Sequence, residues 1–377
     1  MRLFKWLHFI VTGRLSNYVR RVKAARAART AGDFEACAAN FLQAMKEKEK
    51  SFGPKDVQCA ASMNSLAHAY EKTDKLGEAE NLHREALGIA RAYYPEGSPK
   101  LLIYLNGLAV VLSKRGHHDD AEPLLREMLS IYENYPHQSQ IGLSDCYTNL
   151  GNVYRSRGRY SHARNMYMRT MNIYERYFGQ DSRQAALVLN NLTSVSIHLN
   201  KLDEAESFGK KSVDLKQAHL GPTHPDVALS MNNLGEVYRH QKRYQEAAEQ
   251  YQHAISICEN SLGAHHERLA APLTNLAAVE CELGDLHQAT SHCERGIQIR
   301  QAVLGARHHA LSTSFRVMGN ICAKQDDLNS AEQYFRQAAE LALHPELQEL
   351  TSDFSAFLRS QKRDGEADEL EKKLVVK

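Results

Sequence analysis

Asparagine recurs at a fixed interval in this 377-residue chain, at positions separated by 42 residues or a multiple of 42: Asn64, Asn106, Asn190 and Asn232. Basic residues follow at nearly the same interval a few positions further on, at Lys72, Lys114, Arg155 and Arg239. A side-chain amide can both donate to and accept from the backbone of an extended peptide, whatever that peptide's sequence. Asparagine is a mediocre helix former, so its recurrence favours a binding role. The basic residues fit either a binding surface or an ordinary solvated helix face.

Catalytic signatures are absent from the sequence. It contains no nucleophile elbow, phosphate-binding loop, zinc-protease motif, calcium loop or dinucleotide fingerprint. Three adjacent histidine pairs fall in turns, where their side chains diverge, and we interpret them as polar loop residues: His117/His118, His265/His266 and His308/His309. The seven cysteines are scattered without a C-x-x-C motif, which is more typical of small core residues than of ligands. The sequence therefore predicts no enzyme activity, no metal site and no cofactor.

Apolar residues share the same 42-residue interval and define the elements that must position these side chains. Steps of 42 from Leu234 give Leu66, Leu108, Leu150, Leu192, Leu276 and Met318. The position thirteen residues later is small throughout: Cys37, Ala79, Ala121, Ala163, Ala205, Ala247, Ala289 and Ala331. Apolar residues three and four positions after each leucine share one helix face, and a second apolar stripe begins after a turn. The small residue lets two helix backbones approach closely.

The second helix of each unit has a clear end signal. Glycine stands at five equivalent positions, where we expect the left-handed conformation that closes a helix C-terminus: Gly53, Gly179, Gly221, Gly263 and Gly305. The unit is therefore a helix–turn–helix hairpin followed by a loop. Neighbouring hairpins must bury each other's apolar faces, because one hairpin alone leaves its apolar stripe exposed.

Leu234, Gly235, Tyr238 and Ala247 resemble the signature of the tetratricopeptide repeat (TPR) family. The 42-residue step and segment 220–238 are similar to the kinesin-light-chain subclass, whose repeats have longer helices. The resemblance covers about residues 15–375 and implies an all-α, right-handed superhelix, an α-solenoid of about nine helix–turn–helix repeats. We predict three segments: a basic and aromatic stretch at 1–14, the repeat array at 15–350, and a terminal short repeat with a capping helix at 351–377.

The resemblance also implies a binding groove lined by the first helix of each repeat. If the recurring leucine and the residues three and four after it are buried, positions two before and five or six after it face the groove. In kinesin light chains an asparagine ladder with neighbouring basic residues holds acidic cargo peptides, which implies the same role for Asn190, Asn232, Arg155 and Arg239. A second asparagine series, one residue later, is interpreted as contacts within the stack: Asn149, Asn191, Asn233 and Asn275.

A rival groove chemistry is the carboxylate clamp of chaperone-binding repeats. Arg316 and Asn320 supply its first pair of residues, but the next unit offers Ser352 and Ala356 at the equivalent positions. The clamp is incomplete in the sequence, so we do not expect a chaperone-type partner.

The charge balance and the cysteines restrict the class of partner and the cellular compartment. The chain has 47 Lys and Arg against 45 Asp and Glu, a balance too even for a nucleic-acid binder that works through its whole surface. Residues 1–14, MRLFKWLHFIVTGR, fit a mitochondrial presequence, a segment lying on an anionic membrane, or a plain cap. The odd, scattered cysteines indicate a reducing intracellular compartment, so we expect a cytoplasmic location, with a mitochondrial one as the alternative.

The sequence predicts a non-catalytic scaffold that binds an extended or helical, acidic segment of a protein or peptide partner in its groove. It predicts no nucleic-acid partner and allows a membrane contact through residues 1–14. Two alternatives stay open. One is a structural subunit or assembly factor of an organelle complex anchored by residues 1–14. The other is a kinesin-type cargo adaptor that lacks the coiled coil for the heavy chain.

Overall fold

The computed structural model describes residues 13–342 and 347–375. Within these ranges the regular structure is helical and contains no strand. The α-helices are α1 (Arg14–Thr30), α2 (Phe34–Phe52), α3 (Val57–Lys72), α4 (Leu76–Tyr93), α5 (Leu102–Lys114), α6 (His118–Asn134), α7 (Gln140–Ser156), α8 (Tyr160–Phe178), α9 (Arg183–His198), α10 (Leu202–Leu220), α11 (Pro225–His240), α12 (Tyr244–Leu262), α13 (Ala270–Leu283), α14 (Leu286–Leu304), α15 (Leu311–Lys324), α16 (Leu328–Leu341), α17 (Leu347–Ser360) and α18 (Asp364–Val375). The all-α solenoid of helix–turn–helix repeats is confirmed. The roles predicted for residues 1–14 concern a segment of which residues 1–12 lie outside the described ranges, and they stay predictions.

The chain divides into two compact units, one extending to Val153 and the other beginning at Tyr154. The boundary lies inside α7, where the 42-residue spacing is unbroken and contains no signal of it. In the first unit the core is built from residues such as Leu66, Leu105 and Leu125, and in the second from residues such as Leu273 and Phe335.

The small-residue position is buried in every repeat, as predicted. Alanine there has no exposed surface, for example at Ala79, Ala163 and Ala247. Glycine contributes a second close approach, because a Cβ atom added to Gly235 would lie 2.7 Å from the ring of Tyr251. The glycine of the repeat signature therefore makes room for an aromatic side chain of the following helix.

Three loop histidines that lie 42 residues apart have a structural role. The Nδ1 atoms of His224, His266 and His308 accept hydrogen bonds from the backbone N–H two residues later, at 3.1, 3.1 and 3.2 Å. Asp56 makes the same contact in an earlier repeat, at 2.9 Å. These side chains satisfy N–H groups at the starts of the first helices, as N-cap residues do.

Glycine ends five of the second helices, and all five have the predicted positive φ. Their conformation differs from the expected one, however. Gly179, for example, has φ 88° and ψ 160°, whereas a left-handed helical residue has ψ near 47°. This region is essentially restricted to glycine, because a Cβ atom would clash with the backbone. None of the helices in the described ranges combines the length and the apolar content that a bilayer span needs.

Candidate functional site

The two asparagine series that the sequence separates are joined by hydrogen bonds between successive repeats. Asn233 Nδ2 donates to Asn190 Oδ1 at 3.0 Å, and Asn275 Nδ2 donates to Asn232 Oδ1 at 3.1 Å. In the first unit Asn149 Nδ2 donates to the oxygen of Asn106 at 3.3 Å. The amide oxygens of the candidate ladder are therefore engaged within the stack.

Burial separates the four candidate asparagines. Asn64 and Asn232 expose only 8% and 9% of their surface, whereas Asn106 and Asn190 are half-buried. Asn64 has a different partner from the other three, because its Oδ1 lies 2.9 Å from Nδ1 of His83. A role in holding a ligand stays a prediction for all four, and it falls on their Nδ2 groups. The oxygens of Asn106, Asn190 and Asn232 connect repeats, whereas that of Asn64 contacts the second helix of its own hairpin.

The basic candidates of the first unit differ in environment. Lys72 is exposed at the end of α3. Lys114, at the end of α5, donates from Nζ to Glu71 Oε2 at 2.8 Å. A surface lysine with a carboxylate partner is less available to an acidic ligand than a free one, because the ligand must displace that partner.

Arginines from two first helices meet a glutamate from a third in the second unit. Arg239 on α11 lies 3.5 Å from Glu349 Oε1, and Arg316 on α15 lies 2.5 Å from Glu349 Oε2. Glu349 belongs to α17 and its side chain stays 47% exposed, whereas the Arg239 and Arg316 side chains are 25% and 13% exposed. We call Arg155, His198, Arg239, His240 and Arg316 the basic cluster.

A second carboxylate from α17 occupies the incomplete clamp. Arg316 Nη1 donates to Asp353 Oδ2 at 2.5 Å, and Asn320 Nδ2 donates to the same oxygen at 2.7 Å. The pair that the sequence singles out as half of a carboxylate clamp thus does hold a carboxylate, supplied by this chain. Arg316, Asn320, Glu349 and Asp353 were not among the predicted site residues.

The basic cluster has a consistent electrostatic effect on its members. Desolvation raises the pKa of Glu349, but Arg316 and Arg239 outweigh it, so the pKa ends below its usual value. Desolvation also lowers the pKa of His240, and Arg239 lowers it further. The pKa of His198 is lowered by desolvation first, against the opposing effect of Glu349. The positive charge of this face at neutral pH therefore comes mainly from its arginines.

Arg155 completes the cluster from the end of α7. Its Nε is buried and has no hydrogen-bond partner among the described residues. Burial raises the pKa of Tyr167 and of Tyr160, and the charge of Arg155 opposes that rise. Burial lowers the pKa of His198, and the charge of Arg155 lowers it further. An unpartnered buried guanidinium N–H is uncommon in folded proteins.

The seven cysteines are all buried, and none forms a disulfide. Burial raises the pKa of Cys146 and of Cys293 to about 12, so neither thiol is a reactive nucleophile at neutral pH. Their environment matches the interpretation as small core residues.

Family models agree with the repeat pattern along most of the chain. A MalT-like TPR region matches residues 179–348, and tetratricopeptide repeat models match residues 20–92, 78–134 and 143–184. No curated protein sequence matches the chain.

Solved structures share the fold at low sequence identity. The Rap protein complexed with Competence and Sporulation Factor is 13% identical, with a TM-score of 0.69, and the match covers 96% of this chain and 97% of that one. NprR in complex with its cognate peptide NprX is 13% identical, with a TM-score of 0.60 over 83% of this chain and 88% of that one.

A third solved structure also matches the chain. BtubC (BKLC) from P. vanneervenii is 24% identical, with a TM-score of 0.49 over 67% of this chain and 92% of that one. The repeat spacing, the family models and the observed hairpins agree with one another, and the chain is an all-α tetratricopeptide repeat protein.

Proposed function

We propose that the second unit is a docking surface for an acidic segment of a protein or peptide partner, which binds through its carboxylates to the basic cluster. The observation that carries the proposal is the position of Glu349, a carboxylate held between Arg239 and Arg316. A site that holds one carboxylate has the charge and geometry to hold another of the same kind.

The guanidinium groups supply the affinity in this proposal. A guanidinium is planar, always charged and matched to a carboxylate, and its hydrogen bonds to an anion are stronger than bonds between neutral groups. Arg155 adds a third guanidinium charge beside His198, in addition to those of Arg239 and Arg316. Displacing Glu349 costs little free energy, because half-exposed ion pairs contribute little stability.

The asparagine ladder would hold the ligand backbone. Asn190 and Asn232 use their oxygens within the stack, so in the complex their Nδ2 groups would donate to peptide carbonyls. Such bonds are independent of the ligand sequence, whereas the arginines select acidic residues. Two structures of the same fold were solved with a bound factor or peptide, Rap with Competence and Sporulation Factor and NprR with NprX, which supports a peptide-like ligand here.

A direct binding experiment tests the proposal. The probe is a fluorescein-labelled ten-residue peptide of alternating glutamate and alanine, with the glutamine version of the same peptide as the uncharged control. Fluorescence anisotropy is expected to show binding of the glutamate peptide that weakens as salt is added, because screening reduces the attraction between charges. The glutamine peptide should bind much more weakly.

Arg239→Gln is the diagnostic variant, and Arg295→Gln is its matched control. Arg295 is a half-buried arginine that pairs with Glu259 at 2.7 Å on the second helices, away from the basic cluster. Arg239→Gln should weaken binding about tenfold, the equivalent of about 1.4 kcal/mol, while Arg295→Gln leaves it unchanged. Equal affinities for the two variants would mean that the basic cluster is not the docking surface.

A further inference from the structure

The second repeat departs from the repeat pattern at its core. His83 occupies a position on α4 that is apolar or aromatic in most other repeats: Phe41, Leu125, Tyr167, Tyr251, Cys293 and Phe335. Its side chain has no exposed surface. A polar ring in such a position is costly unless its nitrogens have partners, so the groups around it require an explanation.

The hydrogen-bond partners of His83 are Asn64 and Glu71, both on α3. Its Nε2 lies 3.2 Å from Oε1 of Glu71, and the same oxygen lies 2.8 Å from Nδ1 of His68. Potential ligand atoms of these three residues all lie within 4.8 Å of one another. The second oxygen of Glu71 accepts from Lys114 Nζ at 2.8 Å. Glu71 Oε1 is therefore the point on which the two imidazoles converge.

Gly107, which lies beside His83, is a second departure from the repeat pattern. Other repeats have asparagine at the equivalent position, at Asn149, Asn191, Asn233 and Asn275. A Cβ atom on Gly107 would lie only 2.5 Å from Cε1 of His83, so an asparagine there would exclude the imidazole. Positions 83 and 107 thus both depart from the repeat pattern, and His83 forms one compact polar site with His68 and Glu71.

His83 places one imidazole nitrogen against Asn64 and the other against Glu71, both on α3. Its Nδ1 lies 2.9 Å from Oδ1 of Asn64, and its Nε2 lies 3.2 Å from Oε1 of Glu71. In the tautomer that donates from Nδ1 to Asn64, Nε2 keeps a lone pair on the side of Glu71 Oε1. A cation bound by Nε2 and Oε1 would use that lone pair and the carboxylate together.

We propose that His68, Glu71 and His83 bind a divalent cation of the zinc type, with Asn64 and Lys114 as the supporting contacts. Two imidazoles and one carboxylate are a common protein ligand set for zinc, and the fourth position is then filled by water. The bond from the other ring nitrogen to Asn64 is the outer contact that fixes the orientation of a ligating histidine. Lys114 holds the second carboxylate oxygen, which leaves Oε1 as a single donor.

The site has a solvent approach and a structural consequence. A surface cavity of about 530 Å³ is lined by His68, Glu71, Lys72 and Lys114, so an ion can enter without unfolding of the repeat. His68 and Glu71 lie on α3 and His83 lies on α4, and a bound ion would therefore link the two helices of one hairpin. The site lies in the first unit and does not depend on the function proposed for the basic cluster.

Zinc titration of the full chain tests the proposal. Wild-type protein, titrated with Zn²⁺ against a chromophoric chelator, should bind one tight equivalent and should melt at a higher temperature when the metal is present. His68→Ala should weaken this equivalent at least tenfold, and its half-exposed side chain makes the substitution mild for the core. X-ray absorption at the zinc edge should show nitrogen and oxygen ligands without sulfur.

His292→Ala is the matched control. His292 forms the same kind of pair with Glu280, at 2.8 Å, but without a third ligand among the described residues. It should leave the tight equivalent unchanged. His83→Leu, which inserts the residue that the next repeat has at this position, should abolish binding. Absence of a tight equivalent in the wild-type protein, or a His68→Ala protein that binds zinc like the wild type, would overturn the proposal.

Discussion

The contact between α17 and the basic cluster leads to a quantitative prediction about Glu349→Gln. The substitution keeps the size of the side chain and removes its charge. The carboxylate lies 2.5 Å from Arg316 and 3.5 Å from Arg239, and it is 47% exposed. Ion pairs of this exposure contribute from nothing to about 1 kcal/mol each, so we expect the substitution to destabilise the free protein by about 1 kcal/mol.

The free energy that the ion pair contributes to folding should be gained in the binding of an acidic ligand to the variant. In the parent protein the ligand must displace Glu349 before it can reach the two arginines, whereas in the variant this competition is absent. A difference of about 1 kcal/mol corresponds to roughly fivefold in the dissociation constant. Glu349→Gln should therefore bind the alternating glutamate peptide about five times more tightly than the parent, although the folded protein is less stable.

Anisotropy titrations and urea denaturation measure the two effects separately. Glu259→Gln is the control, because Glu259 pairs with Arg295 at 2.7 Å outside the cluster and should alter stability without altering affinity. If Glu349→Gln binds the peptide no better than the parent, the intrachain carboxylate does not compete for the ligand site, and the reasoning is refuted.

Three further predictions concern the stack itself. Asn232→Ala and Asn275→Ala, combined in a double-mutant cycle, should show a coupling of about 1 kcal/mol in urea denaturation, since their hydrogen bond joins two repeats; additive effects would contradict the bond. Burial lowers the pKa of Lys216 from 10.5 to about 8, so its charge disfavours folding below pH 8 and this cost disappears as the pH rises towards 10.5. The stability of the parent relative to Lys216→Met should accordingly rise by about 3 kcal/mol between pH 7 and pH 10.5, and a flat difference would refute this. Ala247→Leu should destabilise the protein by about 1–3 kcal/mol, because this alanine has no exposed surface and a larger side chain separates two helices; a calorimetric transition equal to that of the parent would disprove the packing.

The asparagine results show why neighbouring sequence positions are hard to separate by pattern alone. Asn232 and Asn233 are adjacent on one helix and were expected to serve a ligand and the stack respectively. In the structure Asn232 accepts from Asn275 of the next repeat, and Asn233 donates to Asn190 of the preceding one. Each series provides one half of the same bond. A periodic pattern reports that a position is constrained, but it does not report which atom meets the constraint.

The repeat pattern by itself determined the helices, their pairing into hairpins and the buried small residues, because these depend on contacts that recur at short, constant separations. Contacts without a period were decided by the tertiary structure alone. Arg239 meets Glu349 only because the first helices of the second unit share one face, and no local pattern relates residues 110 positions apart. In the sequence His83 is likewise only an irregular core residue, and its position beside Glu71 and His68 exists only in the folded chain. Charge and coordination depend on distances in space, whereas the sequence records only distances along the chain.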